Sequence, residues 1–180
     1  MILASLKPYY YYLIGEKKKD IEVRKSALKD LPQDIVFYMS KDEKSFAKIP
    51  KEFQEKYRKH FGKVGMRVVV DKVYPIKMII DDFGDLIEWS TIGMLNYNHC
   101  LSNGELDFYL DGKTGYGWHL DNVAVYDKPK ELSEFYIPCN EKSCRECDAE
   151  REYDVCVFER RKPITRPPQS YMRVEELEEV

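Results

Sequence analysis

Lys19, Glu22 and Arg24 stand at the spacing Lys-x-x-Glu-x-Arg within GEKKKDIEVRKS, residues 15–26. These three residue types divide the work of a small polar site. A carboxylate moves a proton. A lysine holds an oxyanion or, once desolvated, serves as a base. A guanidinium takes a phosphate or a carbonyl oxygen in a fork. If residues 20–25 form a strand, side chains alternate between its faces. Asp20, Glu22 and Arg24 then share one face, and Ile21, Val23 and Lys25 share the other. Glu22 and Arg24 lie ~6.6 Å apart along such a strand, close enough to flank one small ligand. Lys19, at the loop-to-strand junction, can point into the same space. The same alternation also describes a strand with one face in solvent, so the spacing alone leaves both arrangements open.

Other groups could join this chemistry. Trp118 offers a ring on which a base stacks, and His119 titrates near neutral pH. They are adjacent on a probable strand and face opposite ways, so at most one of them lines a cleft. Trp118 is expected to be partly core, and His119 is open between pocket and surface. The tyrosines at 9–12 spread around a helix, so most of them pack, and Tyr9 is the one placed beside Lys7. The cysteines run Cys139-x4-Cys144-x2-Cys147-x8-Cys156. Four thiolates could close a structural zinc site, and a metal would order a segment poor in apolar residues. Only one close pair is present, and free thiols fit equally well. Cys100 lies outside this group and reads as a packing residue. His99 beside it makes a poor catalytic pair, because sequence adjacency does not supply hydrogen-bond geometry.

The elements that must position these groups follow from periodicity. Residues 2–6 (ILASL) read as a buried strand. Pro8 suits the first turn of a helix over PYYYYLIGEK, and Gly15 is a natural stop. Strands are expected at 20–25, 34–40, 64–76 and 116–126. A helix is expected at 52–61, where Phe53, Tyr57 and Phe61 fall on one face, with Gly62 ending it. Ser102 and Glu105 have capping-box spacing, which starts a helix over 102–110. This order describes an α+β fold with a small mixed barrel, occupying residues 1–136. Residues 137–180 are read as an irregular appendage, rich in cysteine and then proline, packed on that domain.

The totals set limits. Hydrophobic residues make up 43% of 180 residues and aromatics 13%, enough for a real core. No run of ~18 apolar residues spans a membrane, and the N-terminus lacks the pattern of a signal peptide, so a cytoplasmic protein with reduced thiols is expected. The net charge of −3 argues against bulk attraction to nucleic acid. Its distribution is uneven, with +6 over residues 1–63 and −9 over residues 64–180, so the first third could attract an anion.

Several segments resemble the ASCH domain family, related to the PUA fold. That family's motif is Gly-x-Lys-x-x-Glu-x-Arg, and this chain carries its later part as Lys19, Glu22 and Arg24. Gly15 lies four residues before Lys19, where the family has two. Either the loop is two residues longer here, or Lys17 takes the glycine-spaced place. SLKP (Ser5–Pro8) resembles the first strand running into its helix. GYGWHLDNVAVYDKPKEL (Gly115–Leu132) and RPPQSYMRVEEL (Arg166–Leu177) are similar to a late strand and C-terminal tail of a bacterial and phage-type branch. The resemblance implies a PUA-like mixed β-barrel with flanking helices around a cleft. It implies RNA or a modified nucleoside as partner, and hydrolysis of acetylated cytidine or of RNA as candidate activities. It brings Lys7 to the same cleft. Together with the residues read above, Lys19 and Glu22 are the catalytic candidates, and Lys7, Tyr9, Arg24, Trp118 and His119 the substrate-binding ones. That chemistry requires no cofactor. In small amidohydrolase members a threonine stands where this chain has Glu22, so the proton-handling group differs.

Overall fold

The computed structural model describes residues 1–83, 86–90, 98–137 and 162–176. In chain order the elements are β1 (Ile2–Leu6), α1 (Pro8–Gly15), β2 (Ile21–Arg24), β3 (Gln33–Met39), α2 (Glu43–Phe46), α3 (Lys51–Arg58), β4 (Val64–Ile80) and β5 (Leu86–Ser90). They continue with α4 (Asn103–Leu110), β6 (Gly115–Lys130), a 3-10 turn (Leu132–Glu134), β7 (Phe135–Ile137), β8 (Lys162–Pro163), β9 (Tyr171–Arg173) and β10 (Glu175–Glu176). Among the described residues the main sheet runs β2-β6-β4-β3-β1-β9, with β5 added to β4. β1 and β3 are parallel, and the other neighbours in this sheet are antiparallel. The sheet curls into a half-barrel with four helices, the mixed α+β architecture expected from the element order.

The apolar alternation of β1 and β3 explains the layering. Ile2, Ala4 and Leu6, with Ile35, Phe37 and Met39, join the large core beneath α1 and α3. Leu3, Val36 and Tyr38 project the other way and meet Phe135, Ile164 and Val174. Both faces of these central strands are therefore covered, which is why they read as nearly unbroken apolar runs. The second cover comes from the tail. Of the segment expected as an irregular appendage, residues 162–176 supply β9 to the edge of β1 and bury Ile164 and Val174. A third cluster holds Ile21, Val23, Ile76, Trp89, Leu106 and Leu110, which seats β2 against α4.

Boundaries differ from expectation where charge breaks the pattern. β4 and β6 run on to Ile80 and Lys130, as one long antiparallel pair with register shifts. The added residues 77–80 are exposed and 127–130 are exposed or half-buried, so no buried–exposed alternation marks them. α3 stops at Arg58, and Phe61 instead bridges Met39. Gly62 then takes the left-handed conformation, φ +76°. Gly15 ends α1 for a different reason. A Cβ there would lie 2.4 Å from the Tyr57 hydroxyl, so glycine admits the close approach of α3, while Lys17 supplies the left-handed turn at φ 56°. Gly15→Ala is expected to destabilise by about 1–3 kcal/mol through overpacking. An unchanged denaturation midpoint would show that Tyr57 swings aside freely.

Candidate functional site

β2 decides between the two arrangements its alternation allowed. All four residues are buried: Ile21 and Val23 into the α4 cluster, Glu22 and Arg24 on the opposite face at 8% and 5% exposure. Lys19 is 2% exposed. These three polar side chains border a cavity of about 840 Å³. The start of α1 contributes Lys7, Tyr9 and Tyr10 to its wall, the α2 region contributes Asp42, Lys44, Ser45 and Lys48, and α4 contributes Glu105, Phe108 and Tyr109. Five of the expected site residues, Lys7, Tyr9, Lys19, Glu22 and Arg24, thus meet in one space. The cavity lysine from the basic run is Lys19. Lys17 is exposed, and the exposed Lys18 donates to the Tyr12 hydroxyl at 2.6 Å.

The floor is a buried ion triad. Lys19 Nζ lies 3.5 Å from one Glu22 carboxylate oxygen, and Arg24 Nε lies 3.1 Å from the other. The Nε–H is not aimed at that oxygen and finds no hydrogen-bond partner among the described residues, so this contact is Coulombic. Nη2 donates to Ser5 O at 2.8 Å and Nη1 to Ser170 O at 3.3 Å. These bonds fix the guanidinium plane between β1 and the tail, and each outer nitrogen keeps a second N–H. Lys19 Nζ also donates to His99 O at 2.6 Å. Burial pushes the Lys19 amine below its usual range, with Glu22 opposing the shift and Arg24 adding to it. Burial, reinforced by Glu105 and Glu22, raises the Tyr10 phenol to about 12, so Tyr10 serves as a hydrogen-bonding group and not as an acid.

The rim is cationic. Lys7, Lys44 and Lys48 line the cavity, are exposed, and have no ion pair among the described residues. Two of the three lining carboxylates are occupied locally. Asp42 accepts from Ser45 N to cap α2, and Glu105 completes the capping box of α4 with Ser102. Both keep their charge, and Lys48 acts on Glu105 across the rim, so three cations stand against two carboxylates and the rim is left with a small positive excess.

One positioning group gave no signal in the sequence. Asn98 O accepts from the backbone N–H groups of Asp20 and Ile21, Asn98 N donates to Asp20 Oδ1, and its side chain joins Lys18 O to Cys100 N. This hub holds the loop that presents His99 O to Lys19. Nothing local marks Asn98, because its partners lie about 80 residues away. Asn98→Ala should cost about 1–2 kcal/mol and let water reach Lys19, moving its amine titration up toward the ordinary value. An NMR titration of the lysine side chain checks this, and an unmoved Lys19 would remove Asn98 from the positioning role.

Trp118 and His119 do not join the cavity. Trp118 pairs with Glu22 in register, but it is fully buried, packs edge-on against Tyr171 and donates to Ser26 O at 3.0 Å. No base can reach it. It supports the Arg24 guanidinium 5.6 Å above its ring. His119 sits opposite Ile21, on the face turned from the cavity, with Nδ1 2.5 Å from Asp71 Oδ1. The two have different causes: Trp118 is on the cavity side of β6 but is covered by Arg24 and Tyr171, whereas strand alternation turns His119 to the other face. Cys100 packs partly against the main core as expected. Its thiol donates to Lys18 O while His99 Nδ1 accepts from Leu101 N, so the two do not form a nucleophile–base pair. Cys139, Cys144, Cys147 and Cys156 lie outside the described residues. Among the described residues no cluster of three or more His, Cys, Asp or Glu could hold a metal ion, and no helix is long and apolar enough to cross a membrane.

No protein-family model matches the chain, and no curated protein does. Solved structures do. The crystal structure of a serine-to-alanine mutant of the ASCH protein from Zymomonas mobilis aligns with a TM-score of 0.50 at 15% identity, covering 95% of this chain and 85% of that one. The unmutated protein and a tyrosine-to-phenylalanine mutant align at 0.46 and 0.47, again at 15% identity and 95% of this chain, covering 85% and 87% of theirs. At this identity the likeness concerns architecture alone. With the curled sheet and its helices, it identifies the fold of this chain as the ASCH type.

Proposed function

We propose that the cavity binds a nucleotide unit, as a residue of RNA or as a modified nucleoside. One observation carries this reading: three nearly buried motif side chains converge on the floor of a cavity rimmed by tyrosine rings and by lysines without an ion pair among the described residues. Charge-assisted donors suit phosphate and carbonyl oxygens, and aromatic rings suit bases. Binding of single-stranded RNA, titrated against salt, tests it. Affinity should fall with rising salt, and each neutralised phosphate contact, such as Lys48→Ala, should reduce the slope by about 0.7. Lys19→Met or Arg24→Met should lower affinity more than tenfold, the effect of losing a charged hydrogen bond of about 1.5–3 kcal/mol. A salt-independent affinity for RNA overturns the phosphate-binding role of the rim, and no binding of RNA or nucleoside overturns the proposal.

A hydrolytic role adds to it. The desolvated Lys19 amine, 3.5 Å from Glu22, is the observation that favours this second reading, since functional sites tune such pairs. Glu22 then carries the proton, Lys19 polarises the reacting group and Arg24 holds phosphate or base. Glu22→Gln should abolish hydrolysis of acetylated cytidine or single-stranded RNA while binding survives. A parent protein inactive on both substrates ends the enzymatic version and leaves a binding module. For Cys139, Cys144, Cys147 and Cys156, metal analysis distinguishes the two readings: about one zinc per chain assigns a four-thiolate site, and near-zero zinc assigns free thiols.

A further inference from the structure

We infer that the ligand of this cavity is an oligonucleotide of at least two units, with Phe108 at the mouth stacking the base of the second. The inference rests on the nucleotide-binding reading above and chooses between its two substrate classes.

The first observation is a misplaced ring. α4 anchors itself through Leu106 and Leu110, both fully buried and one helical turn apart. Gly104, Glu105, Phe108 and Tyr109 are spaced as a second face of the same helix, and all four line the cavity. Phe108 is 91% exposed, although a phenylalanine gains nothing from water. Lone exposed apolar residues are ordinary, but this one borders a polar cavity next to Tyr109, whose ring lies 5.3 Å from the Lys25 ammonium. An aromatic face beside cations is the composition that single strands use.

The second observation is charge at the same opening. Lys7, Lys44 and Lys48 are exposed there with no ion pair among the described residues. The floor already carries Lys19 and Arg24 for the first unit, so these rim cations are surplus to a free nucleoside, which has no phosphate. A chain that leaves the cavity presents its linking phosphate to the rim and its next base to Phe108. Size agrees. About 840 Å³ lies high in the ~300–1,000 Å³ range of small-ligand pockets.

The experiment uses the full chain and isothermal titration with three ligand sets: the four nucleosides, their 5′-monophosphates, and the four homodinucleotides. For whichever base binds, the dinucleotide is expected to bind about tenfold tighter than the monophosphate, the effect of one added stacked base. Phe108→Ala should bring the dinucleotide close to the monophosphate and leave the monophosphate within twofold, and Phe108→Trp should restore the difference. Equal binding of nucleoside, monophosphate and dinucleotide overturns this inference while leaving the cavity a nucleoside site. Phe108→Ala weakening monophosphate and dinucleotide alike overturns it too, because the ring would then belong to the first unit. Binding of none of these compounds, nor of acetylated cytidine titrated beside them, refutes the nucleotide reading itself.

Discussion

Glu22→Ala is expected to destabilise the chain by about 3–5 kcal/mol, the range for breaking a buried ion pair from one side. Glu22 is 8% exposed and is the only carboxylate in contact with Lys19 and Arg24 among the described residues. Removing it leaves two cations facing each other in a space that water enters from one side only. Arg24 cannot swing away, because Ser5 O and Ser170 O hold its outer nitrogens. Lys19 can lose its proton, and the downward shift of its amine should deepen once the opposing carboxylate is gone. Urea unfolding measures the loss as a lower midpoint at unchanged slope. The pair Glu22→Ala and Lys19→Met should recover part of it, with a coupling of about 1–3 kcal/mol. A loss below ~1 kcal/mol for Glu22→Ala would match an exposed pair and contradict the burial of this one.

Acidification is expected to destabilise the chain through His60, by about 2–3 kcal/mol between pH 7 and 4. His60 is fully buried beneath Tyr11 and Tyr57, with Nδ1 3.2 Å from the Tyr11 hydroxyl and Nε2 without a hydrogen-bond partner among the described residues. Burial, aided by Lys59 and Lys56, lowers its pKa from 6.5 to about 4. The unfolded chain therefore binds a proton that the native chain refuses between these values. Stability from the neutral ring is fully present above about 6.5, falls as pH drops through the window, and changes no further below about 4. His60→Phe removes this dependence. The stability difference between pH 7 and 4.5 should be smaller in the variant than in the parent, since the carboxylates common to both cancel. Parallel curves would mean that water reaches Nε2. Gly65 keeps the ring in place, since a Cβ there would lie 2.1 Å from Nδ1.

Much of this was legible in the chain because it is local. Pro8 at the first turn of α1, the Ser102–Glu105 capping box and the alternation of Ile21, Glu22, Val23 and Arg24 each depend on neighbours a few residues apart. The element order then fixes an α+β fold, and the motif spacing puts Glu22 and Arg24 on one face. What periodicity cannot report is which faces are covered. Both faces of β3 are covered, but nothing in the sequence of residues 162–176 shows that they provide one of the covers. Trp118 has the ring of a stacking platform, and only the position of Arg24 and Tyr171 makes it a support.

The sequence by itself determined the residues that could act and the face they share, because side-chain direction along a strand follows from backbone geometry. Tertiary structure alone decided that the face is a buried floor and not a solvated edge, since that depends on α1, α2 and α4 arriving from three separate stretches of chain. It also chose Lys19 over Lys17, through a carbonyl at His99 supplied 80 residues later. Long-range contacts of this kind leave no periodicity behind, because each partner satisfies its own local rules first.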